Sequence, residues 1–400
     1  MKSSKPQFVG KKVTIGELGK TQSGGTPSSK HPEFFNGSIP WIGTTALNGK
    51  FLGKNDAVKL ITEEAVAKSA TKIVPEKSIM VGIRVGVGKV AINAVPMCTS
   101  QDIVSIVGID EASWNKEYIS LALQYKAPLL AAQAQGATIA GITSKTLKAI
   151  EIPAIPINEQ NRVVDILRKL ENQVGFVRKQ LCGLDALVKS RFIEMFGDPV
   201  EENRWARITL ASLCTKLGSG ATPRGGKAAY KTSGIPLIRS MNVHNGYFES
   251  KDLAYIDEIQ AKKLDNVTLH KGDVLLNITG ASVARSCLLP DYLAGGRVNQ
   301  HVSIVRCDPN RMLPRVLNSI FTSDSYQRFL LEHSRMAGAT REAITKDDLE
   351  TMTVPLPPLS LQYKFAAFVA QVDKSRFVAQ QQIEKLQMLY DSLAQEYFGD

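Results

Sequence analysis

The chain has 400 residues, of which 44% are apolar and 22% charged, with a formal net charge of +11 and a pI near 9.3. That length suits about two to three domains with cores of their own, and no stretch approaches the ~18 apolar residues a membrane span needs. The basic excess fits a polyanionic partner, and the opening Met1-Lys2-Ser3-Ser4-Lys5-Pro6 lacks the apolar run of a secretion signal, so the expected location is cytoplasmic.

Residues 8–150 read as mixed α/β. Asn48-Gly49 marks a tight turn, Ile103-Val104-Ser105-Ile106-Val107 a strand, and Tyr118 to Tyr125 a helix. Ile152-Pro153-Ala154-Ile155-Pro156 then fixes an extended entry, which suits a helix beginning directly after it. Beyond it Val163, Leu167, Leu170, Val174, Val177, Leu181, Leu184 and Val188 recur in alternating steps of four and three as far as Phe196-Gly197-Asp198. Residues 204–352 repeat the globular pattern, with Asn245-Gly246 as the turn, Val302-Ser303-Ile304-Val305 as the strand and Pro314 to Phe321 as the helix. After Val354-Pro355-Leu356-Pro357-Pro358 the same stepping returns in Phe365, Val369, Val372, Arg376, Ala379, Ile383, Leu386 and Tyr390, ending at Phe398-Gly399-Asp400.

The chain is therefore a duplication. Gly136-Ala137-Thr138 returns as Gly338-Ala339-Thr340 and Ile142-Thr143 as Ile344-Thr345, both 202 residues later, as does the Phe-Gly-Asp ending. Ser23-Gly24-Gly25-Thr26-Pro27 answers Ser219-Gly220-Ala221-Thr222-Pro223, and Ile39-Pro40-Trp41-Ile42 answers Ile235-Pro236-Leu237-Ile238, at shorter spacings. The globular parts have drifted while the connectors stayed locked, so the globular parts are expected to carry specificity. Sustained a/d heptads predict that the two connectors pair as a coiled coil, antiparallel because each globular part then enters and leaves at one end of a rod. Packing of each helix on its own domain alone is the simpler alternative. Arg376, where the first copy has Val174, is the expected register-setting polar residue.

No catalytic motif is present. Gly86-Val87-Gly88-Lys89-Val90 lacks the spacing and hydroxyl of a phosphate loop, and its counterpart around Gly280-Ala281-Ser282 lacks the lysine. There is no G-x-S-x-G, no H-E-x-x-H and no Asn-Pro-Pro-aromatic motif. Five scattered cysteines without C-x-x-C read as reduced packing residues, and no metal site is expected.

The ordered set of motifs, given twice, resembles the specificity (S) subunit of type I restriction–modification enzymes. The set is a Gly-Gly-Thr-Pro or Gly-Ala-Thr-Pro turn, an Ile-Pro-x-Ile strand, Gly-Ala-Thr…Ile-Thr, Pro-x-x-Pro and a long helix ending in Phe-Gly-Asp. The resemblance implies a pseudo-twofold dumbbell with a target recognition domain at 1–157, a helical spacer at 158–198, a second recognition domain at 199–358 and a second spacer at 359–400. It implies a non-catalytic subunit that binds double-stranded DNA and docks two modification (M) subunits. Those carry S-adenosylmethionine, which this chain does not, and methylate adenine N6; restriction (R) subunits join the same assembly. Each recognition domain would read half of an asymmetric two-part site, and the helices would set the gap.

Base readers need side chains that reach groove edges. In the first domain the candidates are Thr26, Ser28, Lys30, Trp41, Arg84, Lys89 and Gln101; in the second they are Arg224, Lys227, Arg239, Asn242, Arg285, Asn299, Gln300 and His301. Trp41 would serve a core equally well, and Thr26 and Ser28 suit a turn. The competing reading is a coiled-coil protein adaptor that does not bind DNA.

Overall fold

A computed structural model describes Phe8 and residues 10–134, 141–223, 225–336 and 343–399, with Lys227, Ala228 and Met336 as backbone only. Both Gly-Ala-Thr motifs and Arg224 lie outside the described residues. The fold is mixed α/β, and the chain divides into two compact units: Met1–Arg178 with Gln381–Asp400, and Lys179–Gln380.

In the first unit a five-stranded sheet runs in the order Lys20–Ser23, Ile103–Val107, Ile79–Gly82, Val90–Asn93, Phe51–Leu52. The apolar Ile103–Val107 run sits between two partners, which is why almost all of it is buried rather than alternating. A four-stranded sheet adds Lys59–Ile61, Ile39–Ile42, Met97–Thr99 and Ile73–Val74. The strand pair Lys12–Thr14 and Glu151–Pro153 ties the front of the unit to the entry of the long helix. Helix Lys116–Tyr125 starts where the Asn115 side chain accepts from the Glu117 and Tyr118 amides at 2.8 and 3.2 Å. Its Tyr118 fills the core beside Phe398, with ring centroids 5.3 Å apart.

The second unit repeats this plan with fewer strands. A sheet of Cys214–Ser219, Val302–Cys307, Val274–Asn277 and Ser286–Leu288 accompanies a smaller one of Ala254–Ile256, Ile235–Ile238 and Arg297–Val298. Arg207–Thr209 pairs with Thr353–Pro355 as the entry strands do in the first unit. Val243 bridges Phe248 across the Asn245-Gly246 turn, as that dipeptide predicts. Cys214 and Cys307, far apart in sequence, are direct partners across two antiparallel strands, and both are free thiols.

The expected long helices are present as Ile157–Phe196 and Leu359–Phe398, 40 residues each. Gly197, at φ +76°, supplies the left-handed residue that ends the first. Every seam position predicted from the heptads is buried or half-buried, from Val163, Leu167, Leu170, Val174 and Val177 to Phe365, Val369, Val372 and Ile383. Within Lys179–Gln380 the helices touch where Phe365 packs against Phe196 (centroids 5.4 Å) and where Arg376 donates to Asp185 at 2.6 Å. Within the first unit the Tyr390 hydroxyl donates to Glu171 at 3.1 Å.

Candidate nucleic-acid interface

The Thr-Pro turns are shaped by close backbone approach. Gly24 and Gly25 donate their amides to the Ile103 and Thr99 carbonyls at 3.0 and 2.8 Å, and a Cβ on Gly24 would collide with the Ser100 carbonyl. This places Thr26 so that its hydroxyl donates to the Gln101 side-chain oxygen. The Trp41 indole N–H closes the turn from below, donating to the Gly25 carbonyl at 3.0 Å, so half-buried Trp41 acts as a support.

The second unit builds the same arrangement from different neighbours. Gly220 donates to the Asn299 carbonyl at 3.1 Å, a Cβ there would strike the Val298 carbonyl, and Thr222 donates to the Gln300 side-chain oxygen. The strand connection is equivalent too: Ser100 donates to Ile42 at 2.9 Å and Asn299 to Ile238 at 3.0 Å. His301 extends the second cluster, its ring 3.1 Å from the Gln300 amide nitrogen and hydrogen-bonded to Thr279.

A basic loop is tied to each cluster. The Ile83 amide donates to the Asp102 carbonyl at 2.8 Å, and the Ile278 amide to the His301 carbonyl at 3.0 Å. Each loop closes in the same way, Gly82 donating to Lys89 and Asn277 to Arg285, both at 2.8 Å. Lys89 and Arg285 are therefore structural counterparts. The same bonds place Ala284, beyond the Gly280-Ala281-Ser282 stretch, opposite Gly88: Gly88 donates to Gly82 as Ala284 donates to Asn277, and both take positive φ, +82° and +70°. Arg84 stands half-exposed 3.7 Å from Asp102.

The remaining candidates separate by burial. Ser28 and Lys30 are exposed, and the Ser28 hydroxyl accepts from the Lys30 amide at 3.3 Å, a turn-shaping contact. Arg239 lies over the Tyr230 ring at 5.3 Å and donates to the Asp252 carbonyl. Asn242 is a correction: it is 0% exposed, accepts from the Arg239 amide at 3.1 Å and donates to the Glu249 and Lys251 carbonyls at 3.0 and 3.2 Å. Every functional edge of that side chain is committed to bracketing a loop, so it does not face a ligand. Asn299 is also buried, with its side-chain oxygen accepting from the His301 amide at 3.0 Å. Thr222 and Thr279 were not among the candidates. The repeat itself pointed to Thr222, the counterpart of Thr26.

No group of three or more His, Cys, Asp or Glu suited to a metal ion occurs among the described residues. Burial pushes the thiols up, Cys98 to about 11 and Cys214, Cys287 and Cys307 to about 12, as suits neutral packing groups. Among the described residues no helix is long and apolar enough to cross a membrane.

The family model for the type I restriction modification DNA specificity domain matches residues 10–182 and 202–388. The specificity subunit of the Escherichia coli type I restriction enzymes EcoR124I/EcoR124II is 35% identical over 173 residues, 42% of either chain. The MjaIX specificity subunit of Methanocaldococcus jannaschii is 25% identical over 401 aligned positions, covering 95% of this chain and 90% of that one. Among solved structures, the S subunit of M. genitalium superposes with TM-score 0.54 at 15% identity, covering 98% and 96% of the two chains. A chain from a type I R-M system, solved for its complex assembly and conformational transition, gives TM-score 0.59 at 17% identity and 97% coverage of both. The two matched segments fall on the two repeats, and the chain belongs to the family of type I restriction–modification DNA specificity subunits.

Proposed function

We propose that the chain reads an asymmetric, two-part duplex DNA site, one half through each repeat, and is itself non-catalytic. The observation that carries this is a Thr–Gln turn built twice, Thr26 with Gln101 and Thr222 with Gln300, each with its backbone tied to a loop that carries a basic residue, Lys89 or Arg285. Gln offers a paired donor and acceptor to adenine, and Arg or Lys donates to the O6 and N7 acceptors of guanine, so these residues have the chemistry of base-edge readers. Their different surroundings, Trp41 and Arg84 against His301 and Arg239, suit two unlike half-sites. The +11 charge supplies the attraction to phosphates.

The two long helices act as an antiparallel coiled coil that sets the gap between half-sites. Support comes from the contacts Phe196–Phe365, Asp185–Arg376 and Glu171–Tyr390, in which each step down one helix is matched by an equal step up the other. Arg376, with partners at Asp185 and Asp373, suits a register-setting role. Large apolar side chains left on the helices' outer faces, such as Phe176 at 63% and Phe377 at 64% exposure, suit docking of the two M subunits. Those partners would bring S-adenosylmethionine and adenine-N6 methylation, with R subunits added for restriction, in the cytoplasm.

The test is duplex binding by the chain with its M subunits as salt is raised. The proposal predicts a linear fall of log affinity against log salt and competition by one two-part sequence only. A protein adaptor would bind duplex weakly and without sequence preference.

A further inference from the structure

Each long helix begins with a glutamine sealed from solvent. Gln160 and Gln362 are 202 residues apart, four residues after Pro156 and Pro358, and both are 0% exposed. The Gln160 side-chain oxygen accepts from the Asn115 amide at 2.8 Å, while its nitrogen donates to the Ser113 and Ile155 carbonyls at 3.0 and 2.8 Å. Gln362 does the same: its oxygen accepts from Leu313 at 2.8 Å, and its nitrogen donates to Arg311 and Pro357 at 2.9 and 2.8 Å. One amide thus joins three chain segments: the long helix, its extended entry, and the residues leading into helix Lys116–Tyr125 or Pro314–Thr322.

A second tie lies further along each helix. Arg168 donates to Glu117 at 2.9 Å, and Asp373 pairs with Arg315 at 2.8 Å, so acid and base have changed sides while the attachment is kept. An apolar residue would fill the buried site as well, but apolar packing is non-directional. Three hydrogen bonds from one planar amide allow a single orientation, and breaking them leaves buried backbone groups unpaired.

We propose that Gln160 and Gln362 are positioning residues for the gap: each locks its recognition domain onto the start of its helix, so the helix length is transmitted to the DNA as one fixed spacing. This rests on the reading of the helices as a spacer. The experiment is a genome-wide N6-methyladenine map in cells carrying the full system with the wild-type chain, Gln160→Met, Gln362→Met or both. A wild-type map without any two-part motif would defeat the proposed function before the glutamines are reached. With that motif present, the variants should keep both half-site sequences. Methylation at gaps one base pair longer or shorter should rise roughly ten-fold, as expected from leaving buried hydrogen-bonding groups unsatisfied. An unchanged gap with intact half-sites overturns the inference, and so does loss of all methylation by a variant that still unfolds cooperatively. Where Gln160→Met does not fold, Gln160→Glu, which retains the acceptor for the Asn115 amide, is read by the same criteria.

Discussion

At the scale of single residues, exposed polar side chains and buried supporting ones lie side by side in the same loops. Gln101 and Gln300 each hold a threonine hydroxyl at the rim of a turn, and both are exposed. Gln101→Ala should relax base preference at one position of one half-site by about 1–3 kcal/mol, leaving the other half-site and the gap unchanged, as read by binding to single-substitution duplexes. Asp273 is wholly buried and receives two bonds from Arg306 at 2.6 and 2.9 Å and one from the His270 amide at 2.8 Å. Asp273→Ala strands the Arg306 charge, and a loss of about 3–5 kcal/mol in denaturant unfolding is expected. Cys182 is exposed, whereas burial holds the Cys98, Cys287 and Cys307 thiols neutral up to pH about 11–12. Iodoacetamide at neutral pH should therefore modify Cys182 well before those three. Equal rates at all four would contradict the packing.

Residue roles were only partly legible. Thr26 and Gln101 could be singled out because the repeat and the residue chemistry point the same way, whereas the match of Lys89 with Arg285 emerges only from the backbone bonds that close the two loops, since the second loop is one residue longer. Asn242 misleads because a polar residue after a strand looks like a surface group. Its real partners are backbone carbonyls of Glu249 and Lys251, which no side-chain pattern announces. Cys214 and Cys307 become neighbours through strand pairing that spans most of a domain, so their spacing in sequence hides it.

At the scale of elements, the helices were the most readable part. Their period is local, and the same face must be apolar at every turn, so the pattern identifies the buried seam without any tertiary information. The drifted sheets were less readable, since strands of two to six residues carry little periodicity of their own. If the helices are a spacer, one heptad added to both adds ~10 Å of helix, about three base pairs of duplex. The expected result is a gap longer by about that amount with both half-sites unaltered. A changed half-site at a constant gap would count against the spacer.

At the scale of the whole molecule, the duplication is the main fact. Two related domains with the same Thr–Gln turn but different flanking side chains are suited to a target that is itself in two unlike parts. Exchanging residues 1–157 for the corresponding domain of another family member should replace one half-site and leave the other. The most direct test of the central claim is a genome-wide map of N6-methyladenine in source cells with and without this gene. The account predicts that one two-part motif with a fixed gap loses its methylation when the gene is removed. Methylation of every two-part motif persisting unchanged, in cells shown to produce the chain and its M subunits, would contradict it.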